Sequence, residues 1–468
     1  MSIEFSKKLT FHETPIPGVV LYDLPVHGDN RGWFKENWQR EKMVALGLPD
    51  FRPVQNNVSF NEKAGTTRGI HAEPWDKFIS VATGRIFGAW VDLREGPSFG
   101  AVFTAEMDAS QAIFIPRGVG NAFQTLEDNT AYTYLVNDHW SADAQGQYTF
   151  LNLADESAAI VWPIGLESAE LSEKDKAHPR LVDVVPMPGR KTLVIGADGQ
   201  LGKALRELYD GDPSVEFAAR AEFDLTNALA FTDRNWKNYS TIINAAAYTG
   251  VDTAETPEGR RAAWDINVTA VAALARTALE HDLTLVHISS DYVFDGDRDN
   301  HHEEEPFSPL GVYGQTKAAG DAIVSVVPRH YIVRTSWVIG AGNNFVRTMA
   351  SLAERGIEPS VVNDQFGRLS FTEDIAAGIK HLLETGATSG TYNFSNDGDP
   401  QSWAEIAADV YELSGKPRSS VTGVSTAEYF NGKAAAPRPL NSGLDLNKIK
   451  STGFTPRSSR SRLAAYLA

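Results

Sequence analysis

Hydrophobic and polar positions change their period once along this chain. From about residue 9 to residue 162, short alternating or wholly apolar runs, among them "FISVATGRIFGAWVDL" and "AIFIPRGVGNAF", are separated by Gly, Pro, Asp and Asn turns. That pattern predicts an all-β sandwich or barrel. From residue 191 onward, apolar strands such as "TLVIGA", "TIINAAA", "TLVHISS" and "YIVRTSWVIG" alternate with helical patterns such as "VTAVAALARTALE". Alternation of that kind predicts a doubly wound parallel sheet, the α/β Rossmann arrangement. Between the two lies "HPRLVDVVPMPGRK", where Pro179, Pro186, Pro188 and Gly189 interrupt any regular element. The boundary is expected near Pro186, giving domains 1–186 and 187–468. The run "HHEEEP" at 301–306 reads as a solvated loop.

Length supports two domains, because 468 residues exceed one ordinary core. Hydrophobic residues at 42% and charged residues at 22% fit globular domains. No apolar run is long enough to span a bilayer, and residues 1–10 lack the apolar stretch of a secretion signal, so the expectation is a cytoplasmic enzyme with no membrane partner. The absence of cysteine excludes disulfides, thiolate metal sites and a cysteine nucleophile. A net charge of −17 argues against a nucleic-acid partner, while a small anion needs only a local cluster of arginines.

In "VIGADGQLG", Gly196, Gly199 and Gly202 follow a strand and open a helix, a spacing that lets backbone approach a pyrophosphate. Further on, "VYGQTKAAG" puts Tyr313 and Lys317 four residues apart on one helix face. Bringing a tyrosine from about 10 to about 7 needs roughly 4 kcal/mol. An ammonium about 4 Å away supplies that at an effective dielectric near 20. "HISSDYVFDG" offers the hydroxyls of Ser289 and Ser290 at a strand end, where open α/β sheets bind ligands.

With "NAAAYTGVDTAE", "RTSWVIG", "NNFV", "DQFGR" and "RPLNSGLD", these motifs resemble the extended short-chain dehydrogenase/reductases, and within them the dTDP-4-dehydrorhamnose reductase family, over almost all of residues 191–468. The resemblance implies a catalytic set of Ser290, Tyr313 and Lys317, Ser290 standing where the family commonly has threonine. It implies cofactor contacts at Gly196, Gly199, Gln200, Leu201, Gly202, Arg220, Asp224, Leu225, Ala245, Ala246, Tyr313 and Lys317, with NADPH as cofactor and NADH as the alternative. Arg220 sits where NAD-selective folds place an acid, which favours a 2′-phosphate. Asp291, Tyr292, Trp337, Asn344 and Arg438 are implied to hold a dTDP-linked 4-keto-6-deoxy sugar.

The first half carries "TTRGIHAEPWDKF", with Arg68, His71 and Lys77. No His-X-His pair accompanies it, so metal-free acid–base chemistry is preferred. "DNRGWFKE", "VQNNVS", "IFIPRGVGNAF" and "LSEKD" extend a resemblance to the dTDP-4-dehydrorhamnose 3,5-epimerase family, whose fold is a cupin-type β sandwich, or jelly roll, over about residues 17–179. That resemblance implies His71 as base with Asp175 as its dyad partner, Lys77 stabilising an enolate oxygen, and Tyr134 returning a proton to the opposite face. Arg31, Glu36, Gln55, Asn57 and Arg68 are implied to hold the nucleotide, and dimerisation is expected through this domain. The chain departs from the family pattern in a short path from His71 to Lys77, in Asn121 where a histidine is usual, and in Gly88 where an aspartate is common. Two readings follow: a bifunctional epimerase and reductase making dTDP-L-rhamnose, or a reductase whose cupin half only binds nucleotide or dimerises. A related 4-keto-6-deoxy sugar nucleotide is a third.

Overall fold

The computed structural model describes every residue except 1–4, 6, 141, 142 and 433. The chain divides into two compact units, Met1–Gly189 and Arg190–Ala468. The division falls after Pro186 because Met187 is buried in the first core and exchanges backbone hydrogen bonds with Leu93 and Glu95.

In the first unit, two antiparallel sheets face each other. One runs in the order Thr10–Glu13, Val20–Asp23, Gln111–Ile115, Lys77–Thr83, Thr130–Val136 and Gln55–Asn61, and the other in the order Thr149–Phe150, Thr67–Ala72, Val119–Thr125, Ile86–Asp92 and Val102–Met107. Ile79, Val81, Ile113 and Tyr132 of the first sheet pack against Ile86, Trp90, Val119 and Phe123 of the second. Full burial of each such side chain contributes about 1.5–3 kcal/mol, and period-two alternation is what lets both sheets supply it. The same alternation sets the polar residues of interest. His71 lies opposite Asn121 in one sheet, and Lys77 opposite Val136, two residues beyond Tyr134, in the other.

The second unit is a six-stranded parallel sheet in the order Val215–Ala218, Lys191–Ile195, Tyr239–Asn244, Thr284–Ser290, His330–Thr335 and Gly390–Phe394. Leu193, Ile195, Ile242 and Leu285 pack on one face with helices Ala270–Glu280 and Val312–Val324, whereas Val194, Ile243 and Val286 pack on the other with Gln200–Leu208 and Thr372–Glu384. Both faces are covered, which is why the strands read as continuous apolar runs. Strand order reverses at Lys191–Ile195, so the crevice beyond its carboxyl end and that of Tyr239–Asn244 is the place such sheets offer a ligand. A small C-terminal part has its own core of Ile339, Val346, Phe371, Ile406, Val410 and Leu463.

The run at 301–306 is solvated only in part: His302, Glu304 and Pro306 are exposed, whereas His301 and Glu303 are buried. His301 is fully buried with its ring stacked on Phe294 at 4.5 Å, the Asn393 backbone N–H donates to Glu303 Oε1 at 3.0 Å, and Arg334 donates to the Glu303 carbonyl at 2.8 Å. The Asn393 backbone N–H satisfies the Glu303 carboxylate, and that is what allows this charged group to be buried.

Candidate active sites

Between the sheets of the first unit lies a cavity of about 570 Å³ lined by Arg68, His71, Glu73, Lys77, Tyr134 and Asp175 among others. His71 reaches it from strand Thr67–Ala72, and Asp175 from the single-turn helix Glu173–Lys176, whose N-cap Ser172 accepts the Asp175 backbone N–H at 3.1 Å. His71 Nε2 stands 2.9 Å from Asp175 Oδ1. Burial pushes the Asp175 carboxyl up, but its hydrogen bonds to His71 and Ser172 outweigh this and hold it below the usual carboxylate range. An ionised carboxylate only accepts, so Nε2 carries the ring proton and Nδ1 keeps the basic lone pair.

Lys77 is buried and ion-paired to Glu73, and its ammonium lies 5.3 Å from the centroid of the Tyr134 ring. Burial, with Glu73 nearby, pushes the Tyr134 phenol up to about 12, so it holds its proton at neutral pH. Base, cation and acid thus face one space from three elements.

The two departures at Asn121 and Gly88 are one packing arrangement. Asn121 Oδ1 accepts the Trp90 indole N–H at 3.0 Å and the Tyr132 hydroxyl at 3.2 Å, and a Cβ on Gly88 would lie 2.2 Å from the Trp90 ring. The indole fills the place where an aspartate side chain would begin.

Gln55 and Asn57 line an adjoining cavity of about 200 Å³ with Glu73, Trp75 and Tyr134. Arg31 and Glu36 are not brought to either cavity. Arg31 is 84% exposed and pairs with Asp29 on the hairpin Val26–Asp29 and Gly32–Lys35, while Glu36 pairs with Lys42. Each has its own local partner.

Two residues escaped the sequence reading: Glu73, which lines this cavity, and His178, which packs against His71 beside it. Glu73 was visible four residues before Lys77 in "HAEPWDK". His178 gave no signal beyond lying one helical turn past Asp175. Its side chain is 7% exposed and its Nε2 is 4.0 Å from Asp175 Oδ1, while burial and then His71 push it below the ordinary histidine range.

In the second unit a cavity of about 730 Å³ opens at the strand-order reversal, lined by Gly196, Gly199, Gln200, Leu201, Arg220, Ala245, Ala246, Ser290, Asp291, Tyr292, Tyr313, Lys317 and Trp337 among others. Gly196 adopts φ +82°, and a Cβ there would lie 2.7 Å from the Ala246 nitrogen. A Cβ on Gly202 would lie 2.2 Å from the Gly196 carbonyl oxygen. The turn can close only without side chains, and it leaves the N-terminus of helix Gln200–Leu208 facing the cavity. Asp224 and Leu225 line a neighbouring recess with Gly196, Arg220 and Ala246. Arg220, 78% exposed, lies 3.4 Å from Asp224. This cradle fits a dinucleotide.

Tyr313 and Lys317 project from helix Val312–Val324, and Ser290 ends strand Thr284–Ser290. Ser290 donates to Asp291 at 2.9 Å and accepts the Tyr292 N–H at 3.2 Å. It is also the group that eases Tyr313, whereas Ser289 lies against Asp321. The expectation that Lys317 lowers Tyr313 fails: burial, only partly offset by Ser290, pushes the phenol up to about 12. The reason is geometric. Lys317 Nζ donates to the Ile288 carbonyl at 2.6 Å and faces His287 Nε2 at 3.4 Å, and burial pushes it down to about 8. Asn244 Oδ1 accepts the Ala246 N–H, which leaves its amide to donate to His287 Nδ1 at 3.3 Å. The His287 ring proton therefore sits on Nε2, where it offers the ammonium no acceptor.

Burial pushes Asp291 up to about 6 against the hydrogen bonds from Ser442 and Ser290. The Tyr292 ring meets Tyr313 edge-on at 5.4 Å, and Trp337 stacks on Trp403 at 3.7 Å. Asn344 and Arg438 do not line the cavity. Asn344 caps helix Phe345–Glu354 and donates to Tyr466, and Arg438 is held by Asp252 at 2.8 Å with Phe430 against its guanidinium, although its charge still reaches Tyr292.

Residues 190–468 match the family model described as RmlD substrate binding domain, and residues 13–183 match that of dTDP-4-dehydrorhamnose 3,5-epimerase. A protein named Protein RmlC homolog from Streptococcus pyogenes serotype M6 is 53% identical over 189 residues, covering 39% of this chain and 95% of that protein. A dTDP-4-dehydrorhamnose reductase from Aggregatibacter actinomycetemcomitans is 37% identical over 279 residues, covering 56% of this chain and 92% of that protein. The crystal structure of dTDP-4-dehydrorhamnose reductase from Bacillus anthracis in complex with NADP is 34% identical and covers 60% of this chain and 98% of that one, with a TM-score of 0.54. The chain therefore belongs to the RmlD substrate-binding-domain family through its second unit and to the dTDP-4-dehydrorhamnose 3,5-epimerase family through its first.

Proposed function

We propose that the chain performs two successive steps on one dTDP-linked 4-keto-6-deoxy sugar. The first unit inverts C3 and C5 of dTDP-4-dehydro-6-deoxy-glucose, and the second reduces the C4 ketone of the resulting L-sugar to give dTDP-L-rhamnose. The observation that carries this reading is the convergence of His71, Lys77, Tyr134 and Asp175 on one cavity. A module that only bound nucleotide would need the arginine and amide groups and no paired base and acid.

In the first step, His71 Nδ1 takes the proton from the carbon beside the ketone and Asp175 stabilises the imidazolium that forms. Lys77 neutralises the developing enolate oxygen, and the Tyr134 hydroxyl returns a proton to the other face. Arg68, Gln55 and Asn57 hold the nucleotide. In the second step, Ser290 and Tyr313 hold the ketone oxygen, and Tyr313 donates its proton as the alkoxide forms. NADPH, when bound, supplies the hydride. Gly196, Gly199, Gln200 and Leu201 would hold its pyrophosphate, with Ala245 and Ala246 beside them, and Arg220, Asp224 and Leu225 would receive its adenosine end. Asp291, Tyr292 and Trp337 position the sugar.

The protein acts in the cytoplasm as a homodimer built through the first unit. Val58 and Phe60 are exposed on the sheet-edge strand Gln55–Asn61, and Trp33 and Phe34 on the hairpin that carries Arg31. Incubation with dTDP-4-dehydro-6-deoxy-glucose and NADPH in D₂O, followed by NMR, tests the function. The expected product is dTDP-L-rhamnose carrying deuterium at C3 and C5. A D-configured 6-deoxy sugar without deuterium would contradict it.

A further inference from the structure

Beside the His71–Asp175 pair sits a second histidine for which the proton chemistry has no use. The His178 side chain is more than nine-tenths buried, and neither ring nitrogen has a hydrogen-bond partner among the described residues. The Gly69 backbone is within electrostatic reach but outside hydrogen-bond geometry. A buried imidazole without a partner has lost its hydration with nothing in return, so its position calls for an explanation. Phe150 stacks on it at 4.7 Å and meets His71 edge-on at 5.6 Å, and the two histidine rings lie 5.3 Å apart. One nitrogen from each histidine and one Asp175 oxygen all lie within 4.8 Å of one another.

We propose that His71, Asp175 and His178 form a binding site for one divalent transition-metal ion of the zinc class, and that its occupation switches off the first unit while leaving the second untouched. The ligand set is two imidazoles and a carboxylate, which a solvent molecule would complete to a tetrahedron. Metal–ligand bonds of about 2.0–2.2 Å in tetrahedral geometry place ligand atoms about 3.4 Å apart. The present separations from Asp175 Oδ1, 2.9 Å to His71 and 4.0 Å to His178, bracket that value. Small side-chain adjustments in opposite senses complete the site.

The consequence for chemistry follows from the tautomer. Asp175 now keeps the ring proton of His71 on Nε2. A metal on Nε2 displaces it to Nδ1, converting the lone pair that removes the substrate proton into an N–H. No proton need leave the ring and no electron is transferred, yet the base is gone. The inhibitory consequence rests on the epimerase reading, whereas the site itself does not.

The test uses the full chain freed of metal with EDTA and titrated with Co²⁺ and then Zn²⁺. One equivalent of Co²⁺ is expected to give a visible absorption band that Zn²⁺ abolishes. One equivalent of either ion should slow deuterium exchange at C3 and C5 at least tenfold, reversibly with EDTA, while oxidation of dTDP-L-rhamnose by NADP⁺ changes by less than twofold. His178→Phe keeps the stacking on Phe150 but removes both nitrogens. It should need at least tenfold more metal for the band and for inhibition read against its own metal-free rate. Absence of a stoichiometric band in the unmodified protein, or equal metal response in His178→Phe, overturns the proposal. If the metal-free protein exchanges no substrate protons, the epimerase reading fails, and the Co²⁺ band still decides the site.

Discussion

The Glu73 carboxylate is ion-paired to the Lys77 ammonium inside the cavity of the first unit, with both side chains almost wholly withdrawn from water, at 12% and 6% exposure. Strand Lys77–Thr83 begins at the lysine, and the pair spans the short turn that leads into it. The abbreviated path from His71 to Lys77 thus brings its own counter-ion.

Removing one partner of a buried pair costs about 3–5 kcal/mol, because the other charge is left uncompensated. Glu73→Gln should therefore lower the first unit's melting transition in calorimetry and leave that of the second in place. Glu73→Gln/Lys77→Met should recover most of the lost stability while exchanging no substrate protons. An unchanged transition in the single variant would show that the pair carries no energetic coupling.

The pH dependence of the second unit follows from Lys317. Burial lowers it to about 8, and Tyr313 stands at about 12. Raising the pH through 8 removes the Lys317 charge from the cofactor cavity that it lines long before the tyrosine ionises, so cofactor binding weakens and reduction is expected to fall on a basic limb near 8. Lys317→Arg, slower overall, should lack that limb because a guanidinium stays charged. A limb at the same pH in the arginine variant would assign it to another group.

The exposed Arg220 bears on cofactor choice. Arg220→Ala should raise the KM for NADPH about tenfold, consistent with a charge-assisted hydrogen bond of roughly 1.5–3 kcal/mol weakened by solvent, and leave the KM for NADH unchanged. Equal changes for both cofactors would remove Arg220 from 2′-phosphate recognition.

Much of this architecture was legible because each half keeps one period. The two-residue alternation of the sandwich and the all-apolar strands of the parallel sheet both follow from how many faces are buried. The glycine turn was legible because only side-chain-free backbone fits between Ala246 and Gly196. What stayed hidden depends on contacts between distant segments. "HHEEEP" looks solvated throughout until Asn393 and Arg334 arrive from elsewhere in the chain to satisfy Glu303. The coupling of Gly88, Trp90 and Asn121 is a packing event across neighbouring strands. The reversed shift at Tyr313 could not be read from its spacing to Lys317, because the spacing does not reveal that Ile288 holds the ammonium. Asn344 and Arg438 were assigned by motif position, while their side chains are taken up by Tyr466 and Asp252.

Coupled NADPH consumption with dTDP-4-dehydro-6-deoxy-glucose as the sole sugar tests the bifunctional account most directly. His71→Asn should abolish consumption, and an independent 3,5-epimerase should restore it, because the site of Ser290, Tyr313 and Lys317 is untouched. Tyr313→Phe should not be restored, yet it should still exchange the C3 and C5 protons for deuterium. Consumption by His71→Asn at the parent rate without added epimerase would contradict the account and leave the first unit a binding module.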